Sequence, residues 1–180
     1  MKISKTFIED LLIIEPQLFN DNRGFFHESY NKKNLDKNIN IVFVQDNESK
    51  SIKGVIRGLH FQIPPFEQTK LVRCVSGNIL DVAVDLRKNS KTYGKFFSIE
   101  LSFENNKQLF IPKGFAHGFQ VLSNEAIVNY KVDEYYNPDS DLGIIWNDRH
   151  LSIDWNLDLK PILSSKDLKL ISFKELKSPF

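Results

Sequence analysis

The chain has 180 residues, 41% of them hydrophobic, with 15 phenylalanines and a net charge of +1 from 24 Lys+Arg against 23 Asp+Glu. That length fits one domain over residues 1–180 with a sizeable core. The balanced charge lacks the basic excess that nucleic acid or an anionic membrane surface demands. A single cysteine, Cys74, leaves no internal disulfide, and its alternation with Val72 and Ser76 reads as a small core residue on a strand. The start, "MKISKTFIEDLLIIEP", has acids in its apolar run and no small-residue cleavage site. No apolar run reaches the roughly 20 residues of a membrane helix, so a cytoplasmic protein is expected.

Taken in chain order, the runs "DLLIIEP", "GFFHESY", "IVFVQDN" and "GVIRGLHFQ" are short and apolar or alternating, as strands are. "KLVRCVSGNILDVAVDLR" reads as two strands around a hairpin turn at "SGN". "KFFSIELSF", "KQLFIP", "HGFQVLS" and "AIVNYKV" follow, with "ENN" joining the first two. Only "NKKNLDKN" and the tail "SSKDLKLISFKEL" have a helical pattern. The chain is therefore expected to be all-β, a jelly-roll sandwich or small barrel with a few short peripheral helices, mainly C-terminal.

Four histidines are present. His150 in "NDRHLS" reads as a surface loop residue, and His27 in "GFFHESY" as structural. His60 and His117 each neighbour a glycine in a strand-like run. The spacing Pro-x-Gly-x-x-His at Pro112, Gly114 and His117 resembles the second signature of the cupin superfamily, whose barrel opens at one end onto a site. Metal-binding cupins add an earlier signature with two histidines, and here "RGLHFQIPPFEQTK" has only His60. A third ligand from an acid such as Glu67 would need an unusual arrangement. No metal and no cofactor are expected.

From "IEPQLFNDNRGFFHESYN" through "FVQDN", "IRGLHFQ", "KLVRC", "ILDVAVDLRKNS" and "IPKGFAHGF" to "YYNPDSDLGIIWND", nearly the whole chain resembles the dTDP-4-dehydrorhamnose 3,5-epimerases. The resemblance implies a cupin-type jelly roll acting on a dTDP- or GDP-linked 4-keto sugar. Inverting a centre beside a ketone needs a base on one face, an acid on the other and a cation near the enolate oxygen. By the same resemblance His60 is the base, Asp167 its carboxylate partner, Tyr130 the acid and Lys70 the cation. Arg23, Arg57, Gln45, Asn47, His117 and Lys166 would contact the nucleotide or sugar, and Tyr136 would stack near the base. Glu28 and Phe19 would hold the nucleotide across the contact of a homodimer with exchanged N-terminal strands. The apolar "LLIIEP" is compatible with pairing across that contact.

Two pairs of residues set conditions on the backbone. Gln45 and Asn47 share a strand face by the two-residue period. Arg57 and His60 are three apart, so a regular strand would send them to opposite faces. A bulge at Gly58 would bring both to one site. Three alternatives share the sequence: a GDP-linked hexose or heptose as substrate, inversion at C3 or C5 alone, and, in another class, a metal-dependent cupin enzyme. A non-catalytic sugar-binding barrel ranks below the epimerase readings, because His60, Tyr130 and Asp167 are all present.

Overall fold

The computed structural model describes residues 1–37 and 39–180. Strands come first: β1 (Lys2–Lys5), β2 (Leu12–Glu15), β3 (Phe19–Asp21) and β4 (Gly24–Phe26). The helix α1 (Lys32–Leu35) follows, capped by Asn31, whose side chain accepts from the Asn34 amide. It occupies part of the expected helical stretch 31–38, of which Asn38 lies outside the described residues. Nine strands complete the element order: β5 (Gln45–Ile52), β6 (Ile56–Gln62), β7 (Lys70–Ser76), β8 (Asn78–Asp85), β9 (Phe96–Ser102), β10 (Gln108–Ile111), β11 (Phe115–Val121), β12 (Glu125–Val132) and β13 (Asp141–Gly143).

Two antiparallel sheets face each other, one ordered β1-β2-β10-β7-β12-β5 and the other β13-β6-β11-β8-β9. Their inner faces alternate in register. Val72 and Cys74 of β7, Val128 of β12, Ile79 and Ala83 of β8 and Phe115 and Phe119 of β11 form one buried cluster. Cys74 sits there as a buried residue, its thiol pushed up to about 11, chiefly by burial.

The sheet topology corrects two details of the sequence reading. "SGN" is no hairpin turn: β7 and β8 belong to different sheets, and Gly77, at φ +72°, turns the chain across the barrel corner. The Leu12–Glu15 strand is not a free edge, since β2 pairs with β1 on one side and β10 on the other. The N-terminal segment left outside both sheets is the β3–β4 hairpin, which forms its own two-stranded ribbon. Its Phe19 and Phe26 are 59% and 67% exposed.

The C-terminal tail also differs from its helical pattern. Only a 3-10 turn forms, over Asp167–Lys169. Phe173 and Leu176 instead dock on the outer face of the second sheet, against Ile56, Leu59 and Phe61 of β6. Each such buried side chain contributes about 1.5–3 kcal/mol, which outweighs the weak local preference for a helix. Two parallel bridges, Val55 to Ile162 and Ile144 to Ile171, pin the tail as a strap across this face.

Candidate active site

The expected bend in β6 is present. His60 faces His117 of β11 and Arg57 faces Phe119, so three steps on β6 oppose two on β11. Gly58 sits in the bulge at φ +112°, and a Cβ there would lie 2.6 Å from the His117 carbonyl oxygen. The extra residue puts both Arg57 and His60 on the cavity wall, while Leu59 and Phe61 face outward. Gly58→Ala is expected to lower both the melting temperature and turnover, because the left-handed backbone alone costs about 1–2 kcal/mol and the clash is with backbone. A variant with unchanged melting temperature and activity would contradict this account of the bulge.

The cavity is about 390 Å³, in the range that holds a small ligand. One wall carries His60 and His117, directly paired across β6 and β11. The other carries Lys70 of β7, Tyr130 of β12 and Ser49 of β5. Arginine, histidines, lysine and tyrosine therefore converge from both sheets.

Each histidine is held by a carboxylate. His60 Nε2 lies 2.6 Å from Asp167 Oδ1, and Ser164 Oγ donates to Asp167 Oδ2 at 2.7 Å. Asp167 is 2% exposed. Burial pushes its carboxyl up, but the hydrogen bonds from His60 and Ser164 outweigh it and hold the group below its ordinary value. With Nε2 so engaged, Nδ1 of His60 is the nitrogen left for a substrate. His117 Nε2 lies 2.8 Å from Asp81 Oδ1, and Asp81 is fully buried with Oδ2 unpartnered. Among the described residues no three His, Cys, Asp or Glu side chains gather as a metal site.

Burial lowers the Lys70 ammonium to about 8, against the pull of Asp141 and Asp81, which act to raise it. Burial raises the Tyr130 phenol, and the nearby Arg57 charge offsets part of that rise. Arg57 itself donates from Nε to Ser51 Oγ at 3.0 Å.

The remaining expected residues fall in two groups. Gln45 and Asn47 share the inward face of β5 and are linked by a 2.8 Å hydrogen bond. The Tyr136 amide donates to Gln45 Oε1 at 3.3 Å, and its exposed ring lies beyond them. Tyr136 Oη donates to Asp141 Oδ2 at 3.0 Å, and Lys166 donates to the same oxygen. The second group, Phe19, Arg23 and Glu28, lies on or beside the β3–β4 hairpin, outside the cavity lining of its own chain. There Arg23 pairs with Asp21 at 2.6 Å, and Glu28 accepts from Asn31 at 2.9 Å.

Sequence reasoning passed over Asp81 and Asp141. Asp81 carried a signal: one carboxylate at an inward position of the apolar run "ILDVAVD" requires a buried partner. Asp141 carried none, being one of two acids in "NPDSDLG".

The family model described as dTDP-4-dehydrorhamnose 3,5-epimerase matches residues 5–175. The chain is 51% identical over 178 residues to the Escherichia coli dTDP-4-dehydrorhamnose 3,5-epimerase, covering 98% of this chain and 96% of that one. The crystal structure of a dTDP-6-deoxy-D-glucose-3,5-epimerase from Legionella pneumophila, in complex with dTDP-4-keto-L-rhamnose, superposes with a TM-score of 0.94 at 46% identity, covering 97% and 94%. A 3'-monoepimerase from Streptomyces bikiniensis, in complex with dTDP-quinovose, superposes with 0.88 at 29% identity, covering 93% and 85%. On the match of residues 5–175 and about half of all positions identical to such relatives, the chain belongs to the dTDP-4-dehydrorhamnose 3,5-epimerase family.

Proposed function

We propose that this cavity inverts C3 and C5 of a dTDP-linked 4-keto-6-deoxyhexose, with His60 as base, Tyr130 as acid and Lys70 as the cation at O4. What carries the reading is the division of groups between walls: His60, backed by Asp167 of the C-terminal strap, stands on one sheet, Lys70 and Tyr130 on the other. The C4 ketone makes the neighbouring C–H bonds acidic. His60 Nδ1 takes the proton, the electron pair forms the enolate, and charge develops on O4. The Lys70 ammonium stabilises that charge in a site where little water competes, while Asp167 balances the imidazolium. Tyr130 then returns a proton to the opposite face of the same carbon. Exchange with solvent resets both groups, and the cycle repeats at the second carbon. None of these steps calls for a cofactor.

In this reading Arg57, His117, Gln45, Asn47, Tyr136 and Lys166 meet the sugar, diphosphate and base. Phe19, Arg23 and Glu28 serve the site of a second copy, so the working unit is a cytoplasmic homodimer that exchanges its N-terminal hairpins. The exposed Phe19 and Phe26 of that ribbon give it an apolar face to bury. A solution mass of one chain at micromolar concentration would overturn the dimer.

Double inversion rests on the roughly half-identical relatives that are named 3,5-epimerases. The monoepimerase at 29% identity shares the fold, so the fold does not decide it. Incubation in D2O with dTDP- and GDP-linked 4-keto sugars, with and without chelator, tests the reading by mass spectrometry and proton NMR. Deuterium at both carbons of the dTDP sugar, unaffected by chelator, is expected. Exchange at one carbon would make it a monoepimerase, exchange with the GDP sugar alone would change the nucleotide, and chelator sensitivity would bring back a metal. Tyr130→Phe is expected to slow inversion more than initial exchange, because the base survives; equal loss of both would remove Tyr130 from the acid's role.

A further inference from the structure

We propose that Ser164 is a positioning residue of the reaction, locking the Asp167 carboxylate in the one orientation that serves His60. The inference rests on the assignment of His60 as base. Asp167 does not belong to the barrel. It sits on the strap, between the pins at Ile162 and Ile171, and reaches His60 by its side chain across a sequence separation of 107 residues.

At Ile162 the strap is held by two backbone bonds, Ile56 N–H to the Ile162 carbonyl at 3.0 Å and Ile162 N–H to the Gly54 carbonyl at 3.0 Å. At Ile171 its carbonyl accepts from Ile145 N–H at 2.9 Å. These bonds fix the backbone on either side of Asp167, but not the last torsion of its side chain. That torsion is intrinsically soft for an aspartate, so the carboxylate plane needs a clamp of its own.

Ser164 supplies it with a defined polarity. Its Oγ accepts the Asp167 backbone N–H at 3.0 Å, which occupies a lone pair, and its proton goes to Asp167 Oδ2 at 2.7 Å. One hydroxyl thus ties the carboxylate to its own backbone and leaves Oδ1 alone to meet His60 Nε2 at 2.6 Å. The hydroxyl also helps to keep the buried carboxyl ionised, as a partner for imidazolium must be. A cap for the short turn over Asp167–Lys169 would need only the bond to the amide. The second bond, to Oδ2, acts on the catalytic pair.

The test compares Ser164→Ala and Ser164→Thr with the unaltered full-length protein, and with His60→Ala as a control. For Ser164→Ala, kcat should fall about tenfold or more, as expected when a hydrogen bond to a charged group is lost. KM should stay within about twofold, because the hydroxyl, although Ser164 lines the cavity, already spends its proton and a lone pair on Asp167. The low-field N–H resonance of the His60 ring, held by Asp167 in the unaltered protein, should broaden or vanish. Threonine, which keeps the hydroxyl, should restore most of kcat and the resonance.

Unchanged kcat in Ser164→Ala would overturn the proposal. So would a loss shared equally by alanine and threonine, with a lowered melting temperature and an intact His60 resonance, since that pattern belongs to a purely structural cap. If His60→Ala itself keeps normal turnover, the base assignment fails instead, and the two failures are told apart.

Discussion

Replacing His60 by alanine is expected to lower deuterium exchange at both C3 and C5 by roughly 10²–10⁴-fold, the range lost with a positioned general base. Both positions should fall together, because the cavity presents one imidazole backed by a strap carboxylate, and His117 is committed differently. His117 is 6% exposed and its carboxylate, Asp81, is sealed in the barrel, whereas His60 stands more open on the bulge. Binding of the bare nucleotide should hardly change, since the diphosphate contacts assigned to Arg23, Arg57 and Lys166 are untouched. Titration calorimetry with the nucleoside diphosphate, alongside mass spectrometry of exchange, separates the two effects. Exchange retained at one carbon alone would mean that a second base serves it, and His117 would be the residue to replace next.

The second large effect concerns Lys70 and carries a pH signature. In the role proposed for it the group must be an ammonium, and burial has brought its pKa from 10.5 down to about 8. The cation is therefore present below that value and lost as pH rises through it. Since kcat/KM reports groups of the free enzyme, its profile should fall on the alkaline side with a midpoint near 8. Tyr130 does not explain such a limb, because its phenol is raised above the ordinary 10.0. Lys70→Gln should cost roughly 10²–10³-fold in kcat, as the loss of an oxyanion-stabilising group does. Lys70→Arg keeps its charge at any accessible pH, so the alkaline limb should disappear even though the bulkier fork lowers the rate. A limb near pH 8 that persists in Lys70→Arg would assign it to another group.

Much of the candidate site's geometry was legible because it is written in residue types that matter individually. His60, Tyr130, Lys70 and Asp167 stand in motifs whose family resemblance is long, and the two-residue period alone placed Gln45 beside Asn47. The Arg57–His60 spacing raised a conflict that Gly58 resolves, so even the irregularity could be anticipated. What escaped was pairing at a distance. Nothing in "SGN" distinguishes a hairpin from a turn between two sheets, because that depends on which strands lie alongside, a matter of the whole barrel. The same holds for the tail. Its local pattern is helical, and only the outer face of β6, contributed a hundred residues earlier, makes an extended strap the better solution. Asp81 lies between these cases: its sequence shows that a partner is needed, and only the fold shows that His117 is the partner.

The strap has a consequence for how the protein comes into being. A nascent chain is delivered from its N-terminus, and domains tend to fold as their segments emerge. Every strand from β1 to β13 ends by Gly143, whereas Asp167 and the strap's anchors Phe173 and Leu176 follow later. The two sheets can thus close around a cavity that already holds His60, Lys70 and Tyr130 before the carboxylate that pairs with His60 has followed. The His60–Asp167 pair can form only once the strap has followed the barrel out.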